Sequence, residues 1–311
     1  MSAYRERAAT FGPGGSIVGI VTVPREPDPT LPSAVVILNA GVIHRVGPNR
    51  LHVRLARELA DRGMTVLRFD LSGIGDSEAR HDENDLAAAV HRDVDAALEF
   101  LELELGAQSF IVFGMCSCAN NAFRFGVADE RVVAMALVDP VAFRTPWYYV
   151  AHYSRRLLRP EPWLNVLTGR HPAIRRLLRR SAPRGSSAPA PVAAELPEPT
   201  REEMARGLDA LVARGTELLV VFTGGVSETY NYESQFADLF PRVARARGVR
   251  ARFFRESDHT FSAEHDKAAL IELVSSWLGG LRGRLRPKPR RNARHSPTVV
   301  ERVAVSESDR A

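Results

Sequence analysis

The residues Phe110-Ile111-Val112-Phe113-Gly114-Met115-Cys116-Ser117-Cys118-Ala119 run from an apolar β-pattern straight into small side chains. A sharp strand-to-helix turn that lifts one nucleophile above a sheet needs small residues two positions to either side. Centring the turn on Cys116 puts Gly114 and Cys118 at those flanks. Centring it on Ser117 would put the bulky Met115 there, so sterics select Cys116. The N-terminus of the following helix favours a thiolate, and the Ser117 backbone N–H is available to a developing oxyanion. Taken alone, the same pattern also suits a small buried residue at a strand end. The surrounding elements separate the two readings.

Those elements alternate. Residues 17–23 are a β-branched run closed by Pro24 and preceded by glycines at 12, 14 and 15, which predicts an early hairpin. Residues 34–38 form a short continuous apolar run, the pattern of a strand buried on both faces. Pro48 opens a helix with Leu51, Leu55 and Leu59 on one stripe, and Gly63 ends it. A strand at 65–69 and a polar loop at 70–83 lead into a helix of about 20 residues carrying Leu86, Val90, Val94, Leu98 and Leu101. Strand 109–113, helix 119–127 and strand 131–138 follow. The rhythm breaks at 141 and resumes with a capping box at Thr200-Arg201-Glu202-Glu203, strand 218–223, helix 234–246, strand 251–255 and helix 264–278.

Strands separated by helices predict an α/β fold: a mostly parallel twisted sheet with an antiparallel N-terminal edge and an inserted helical cap. The expected organisation is a core of residues 1–140 and 201–281. Residues 141–200 form a cap with a Pro-rich mobile linker, and 282–311 a basic disordered tail. The chain has 311 residues, with 45% hydrophobic and 25% charged, enough for a sizeable core. Its net charge of +5 resides in the tail, because residues 1–281 hold 33 basic and 34 acidic side chains. A nucleic-acid partner is therefore not expected. No apolar run is long enough to span a membrane, and no secretory leader is evident, so a cytoplasmic protein is expected. Two cysteines one residue apart make neither a disulfide framework nor half of a zinc site.

Four segments in order carry a family resemblance. Asn39-Ala40-Gly41-Val42 follows the first buried strand, and Arg45-Val46-Gly47-Pro48 opens the next helix. Phe69-Asp70-Leu71-Ser72-Gly73-Ile74-Gly75-Asp76-Ser77 follows the next strand. Ser257-Asp258-His259-Thr260-Phe261 precedes the last helix. Together with the Cys116 turn, residues 15–280 resemble the α/β-hydrolase superfamily, and within it the serine aminopeptidase-like and exosortase-associated hydrolase groups. The resemblance implies an α/β-hydrolase fold with His259 as catalytic base and an oxyanion hole built from the Val42 and Ser117 backbone N–H groups. It places the acid after the strand preceding the histidine's strand, where Glu228 is the first carboxylate. Asp139, at the end of the strand after the nucleophile, is the alternative position. Asp258 reads as a turn residue.

The expected activity is acyl transfer by a Cys-His-acid triad, esterase- or thioesterase-like, on a small or carrier-bound acyl substrate, plausible for natural-product biosynthesis. Most relatives use serine. A cysteine leaves open an acyltransferase, a lyase eliminating a carboxylic acid, or a binding protein without catalysis. Residues 155–180 carry eight arginines against Glu161, which suits an acidic carrier protein or coenzyme A. No cofactor is expected. His44 could line the pocket, whereas His52, His81 and His91 read as polar positions on the surface.

Overall fold

The computed structural model describes residues 3–30, 33–80, 86–157 and 197–285, with 155–157 as backbone. Eight strands form one sheet in the order β1-β2-β4-β3-β5-β6-β7-β8. They are β1 (Tyr4–Phe11), β2 (Ile17–Pro24), β3 (Ser33–Ala40), β4 (Val66–Phe69), β5 (Ser109–Met115), β6 (Val132–Val138), β7 (Glu217–Thr223) and β8 (Val249–Phe254). β1 and β2 are the antiparallel hairpin, its turn made by positive-φ glycines at 12, 14 and 15. β2 joins β4 antiparallel, and every later pairing is parallel. The expected mostly parallel sheet with an antiparallel edge is what the chain builds.

Helices cover both faces. α1 (Leu51–Asp61) and α8 (Glu264–Gly279) lie on one face. On the other lie α2 (Leu86–Leu105), α3 (Ser117–Ala128), α5 (Arg201–Ala213), α6 (Gln235–Leu239) and α7 (Pro241–Ala244). This sandwich explains why β3, β5 and β6 read as unbroken apolar runs: every residue in each is buried. α5 opens on the expected capping box, with the Glu203 N–H donating to Thr200 Oγ1 and the Thr200 N–H to Glu203 Oε2.

Two expectations are corrected. The single helix expected over 234–246 is two short helices, because Pro241 lacks an N–H and its ring collides with the preceding turn. Phe240 leaves the helical region between them, at φ −132° and ψ 63°. His52 is not a surface residue. It is fully buried at the start of α1, edge-on to Phe113 and under Gly47, and neither ring nitrogen has a partner among the described residues. Burial disfavours the imidazolium and pushes its pKa down to about 3, so it sits in the core as a neutral ring. His91 is exposed as expected, and His81 lies outside the described residues.

The insert begins with α4 (Pro146–Leu157). Tyr148 is its buried anchor, donating its hydroxyl to the Glu228 carbonyl at 2.8 Å. The arginine side chains at 155–180, the Pro-rich linker and the tail beyond 285 lie outside the described residues.

Candidate active site

The C-terminal ends of parallel strands are where an open α/β sheet collects loop residues into a crevice. β5 delivers Cys116. Its backbone sits at φ 61°, ψ −137°, a strained conformation for a residue with a Cβ, and the chain turns directly from it into α3. Two hydrogen bonds hold the turn: the Cys116 N–H to the Val138 carbonyl at 2.9 Å, and the Ala119 N–H to the Cys116 carbonyl at 2.8 Å. Gly114 is obligatory. A Cβ there would lie 2.5 Å from the Cys118 carbonyl oxygen and 2.7 Å from Ala122 Cβ. The small flank predicted from sequence is thus a close approach of strand and helix, and Cys116 is the half-exposed thiol it presents.

The loop after β8 brings the His259 side chain beside Cys116, close enough for each to act on the other's titration. On its other side, His259 Nδ1 lies 2.9 Å from Asp139 Oδ2. Asp139 stands at the end of β6 with a fully buried carboxylate and a left-handed backbone at φ 49°. Thr223 fixes that carboxylate, its N–H donating to Oδ1 and its hydroxyl to Oδ2, both at 2.7 Å. Sequence reasoning did not single out Thr223. Its signal is a β-branched hydroxyl ending a buried strand.

Glu228, expected as the acid, is not brought to the histidine. It is exposed, and its backbone carbonyl serves Tyr148 and Arg144. A Cβ on Gly224 would lie 2.0 Å from the Arg255 carbonyl oxygen, and one on Gly225 2.3 Å from the His259 backbone nitrogen. The chain leaving β7 is therefore pressed against the backbone of the histidine loop. Asp139, at the end of β6, is the carboxylate beside the ring. Asp258, next to the histidine, ties its own turn by accepting from the N–H groups of Thr260 and Ser262 at 2.7 and 3.0 Å.

The turn after β3 completes the arrangement. Gly41 adopts φ 57°, and the Ile43 N–H closes the turn on the Ala40 carbonyl at 3.0 Å, leaving Val42 exposed at its apex. A Cβ on Gly41 would lie 3.8 Å from Ser117 Oγ, so this turn faces the first turn of α3. His44 is exposed just beyond it.

Electrostatics separate the two thiols. The His259 ring beside it, helped by the Ser117 backbone N–H, holds the Cys116 thiol below its usual range. Asp139 first, and Cys116 second, raise His259 from 6.5 to about 10. Both directions favour a shift of the proton from Cys116 to His259. Cys118 is buried, which pushes its thiol up to about 11. The arrangement therefore sets one half-exposed thiol of lowered pKa, one imidazole and one buried carboxylate side by side.

A family model described as serine aminopeptidase, S33, matches residues 30–193. No curated protein matches the sequence. Among solved structures, an esterase of Pyrococcus furiosus superposes with a TM-score of 0.56 at 12% identity, over 90% of this chain and 92% of that one. A hypothetical protein of Pseudomonas aeruginosa gives 0.54 at 15%, over 90% and 94%. The esterase domain of a Rhodothermus marinus protein gives 0.50 at 17%, over 88% and 97%. These likenesses concern the fold, and the match to the family model covers more than half of the sequence. The chain belongs to the serine aminopeptidase S33 family of α/β hydrolases.

Proposed function

We propose that this hydrolase-family chain is an acyl-transfer enzyme with Cys116 as nucleophile, His259 as acid–base and Asp139 as the orienting carboxylate. The observation that carries the reading is the unbroken contact from Cys116 through His259 to Asp139. In this mechanism the Cys116 thiolate attacks the acyl carbonyl, and the carbonyl oxygen takes the negative charge. The N–H groups of Val42 and Ser117 receive that oxyanion. Collapse of the tetrahedral adduct breaks the bond to the leaving group, which takes the proton from His259, and a thioester remains on Cys116. His259, now neutral, removes a proton from water or another acceptor as it attacks the thioester. The acid product leaves, and the thiolate–imidazolium pair is restored. Asp139 keeps Nδ1–H pointed inward and stabilises the cation.

The exposed side chains of Val42 and Ile43, on the turn facing α3, suit an apolar acyl group. The arginines at 155–180 suit a substrate carried on coenzyme A or an acidic carrier protein. A cytoplasmic setting would keep so nucleophilic a thiol reduced.

Mass spectrometry after brief exposure to p-nitrophenyl acetate tests the reading. An acetyl group on Cys116 is expected, with turnover lost in Cys116→Ala and largely kept in Ser117→Ala. An adduct on Ser117, or none on either residue, would overturn it.

A further inference from the structure

The loop from Asp70 to Ser77 encloses a buried carboxylate that accepts four hydrogen bonds. Asp70 is fully buried. Its Oδ1 accepts from the Arg45 backbone N–H and from Asn39 Nδ2 at 3.2 Å. Its Oδ2 accepts from the Arg45 guanidinium and from the Asp76 N–H at 3.2 Å. Gly75 is what lets the loop close over it, since a Cβ there would lie 2.2 Å from Asp70 Oδ2. Ser77 ties the loop to β2, donating its hydroxyl to the Asp70 carbonyl at 2.7 Å and accepting from the Val18 N–H at 2.9 Å.

Two of this carboxylate's partners, Asn39 and Arg45, flank the turn bearing Val42. Asn39 is the buried residue immediately before that turn, and its Nδ2 also donates to the Ile43 carbonyl at 3.0 Å. Its Oδ1 accepts from the Leu71 N–H at 2.8 Å, so its amide is fixed at both ends. Arg45 is two residues beyond Ile43, and its side chain spans Asp70 and Asp76. The turn is therefore clamped before and after its apex by one buried carboxylate. Its opposite side rests near α3, with Cys118 Sγ 4.0 Å from the Gly41 carbonyl. Mobile donors would have to reorganise as charge develops on the substrate oxygen, whereas fixed ones need not.

We infer that Asn39, Asp70 and Arg45 are positioning residues that hold the Val42 N–H ready for the oxyanion. This rests on the acyl-transfer reading above. It predicts a division between two reactions of the same thiolate. Iodoacetamide forms a carbon–sulfur bond at Cys116 and expels iodide, generating no oxyanion. An activated ester forms the thioester through a tetrahedral oxyanion and so depends on the Val42 N–H.

The experiment measures both rates at Cys116 by mass spectrometry for the full chain, Asn39→Ser and Asp70→Asn. Arg45→Met is the further variant in case Asp70→Asn does not fold. Acylation by p-nitrophenyl acetate should fall by roughly 10- to 100-fold, somewhat less than removal of an oxyanion donor. Alkylation should stay within about twofold, because the thiolate and His259 are untouched. Equal loss of both rates would mean only general structural damage, and loss of neither would mean that the turn needs no clamp. Either result overturns the assignment. A wild-type chain that is alkylated but never acylated at Cys116 would instead overturn the acyl-transfer reading itself.

Discussion

The ends of β6 and β7 are neighbours in the sheet, and each could supply a carboxylate to a histidine. They behave in opposite ways. β6 ends in Asp139, whose left-handed backbone turns a buried carboxylate toward Thr223 and His259. β7 ends in two glycines that lie within contact distance of the histidine loop, and its first carboxylate, Glu228, is exposed. The difference teaches that strand order alone does not choose the acid.

The sharpest way to break this comparison is to exchange the charges. Asp139→Asn should lower kcat/KM by roughly 10³- to 10⁴-fold, since the amide removes the acceptor that fixes the His259 proton. Steady-state kinetics would show it, and near-wild-type activity would return the acid to β7. Gly225→Ala should be the next most damaging change. Its Cβ would meet the His259 nitrogen at 2.3 Å, so the histidine loop must shift. A loss of about 1–3 kcal/mol in stability is expected from such overpacking. Urea titration measures it, alongside a fall in kcat of about tenfold or more for a misplaced ring. Glu228→Gln should leave kcat/KM within about twofold, because its side chain contributes nothing to the histidine.

A smaller effect concerns pH. The folded state raises the His259 pKa from 6.5 to about 10, so the stability this contributes is complete below 6.5 and is lost as pH rises through about 10. Thermal melts of wild type and His259→Gln should therefore converge as pH rises through that upper value. A gap independent of pH would contradict the ion pair.

These predictions also mark what the sequence could reveal. The turn that presents Cys116 was legible because Gly114, two residues before it, meets a steric demand of the strand against the following helix. The parallel sheet was legible because strands buried on both faces carry no alternation. The carboxylate that meets His259 was less so, because the resemblance pointed first to the position after β7, where Glu228 is exposed, and only second to Asp139. His52 was misread for a different reason. The stripe of Leu51, Leu55 and Leu59 draws the eye, but Ala56 and Ala60, one and two turns on from His52, are buried as well. Small residues let that face of α1 sit close to the sheet, and the histidine is carried in with it. Pro241 was visible, and its power to split a helix was underweighted.

The central claim is that His259, held by Asp139, lowers the Cys116 thiol, while burial raises Cys118 two residues away. The pH profile of iodoacetamide alkylation, followed separately at each thiol by mass spectrometry, tests this most directly. Cys116 should react first, with a midpoint below the ordinary thiol value near 9.0, while Cys118 stays inert until about 11. Asp139→Asn should move the Cys116 midpoint upward. A Cys116 midpoint at the ordinary thiol value, unchanged by Asp139→Asn, or faster labelling of Cys118, would contradict the account.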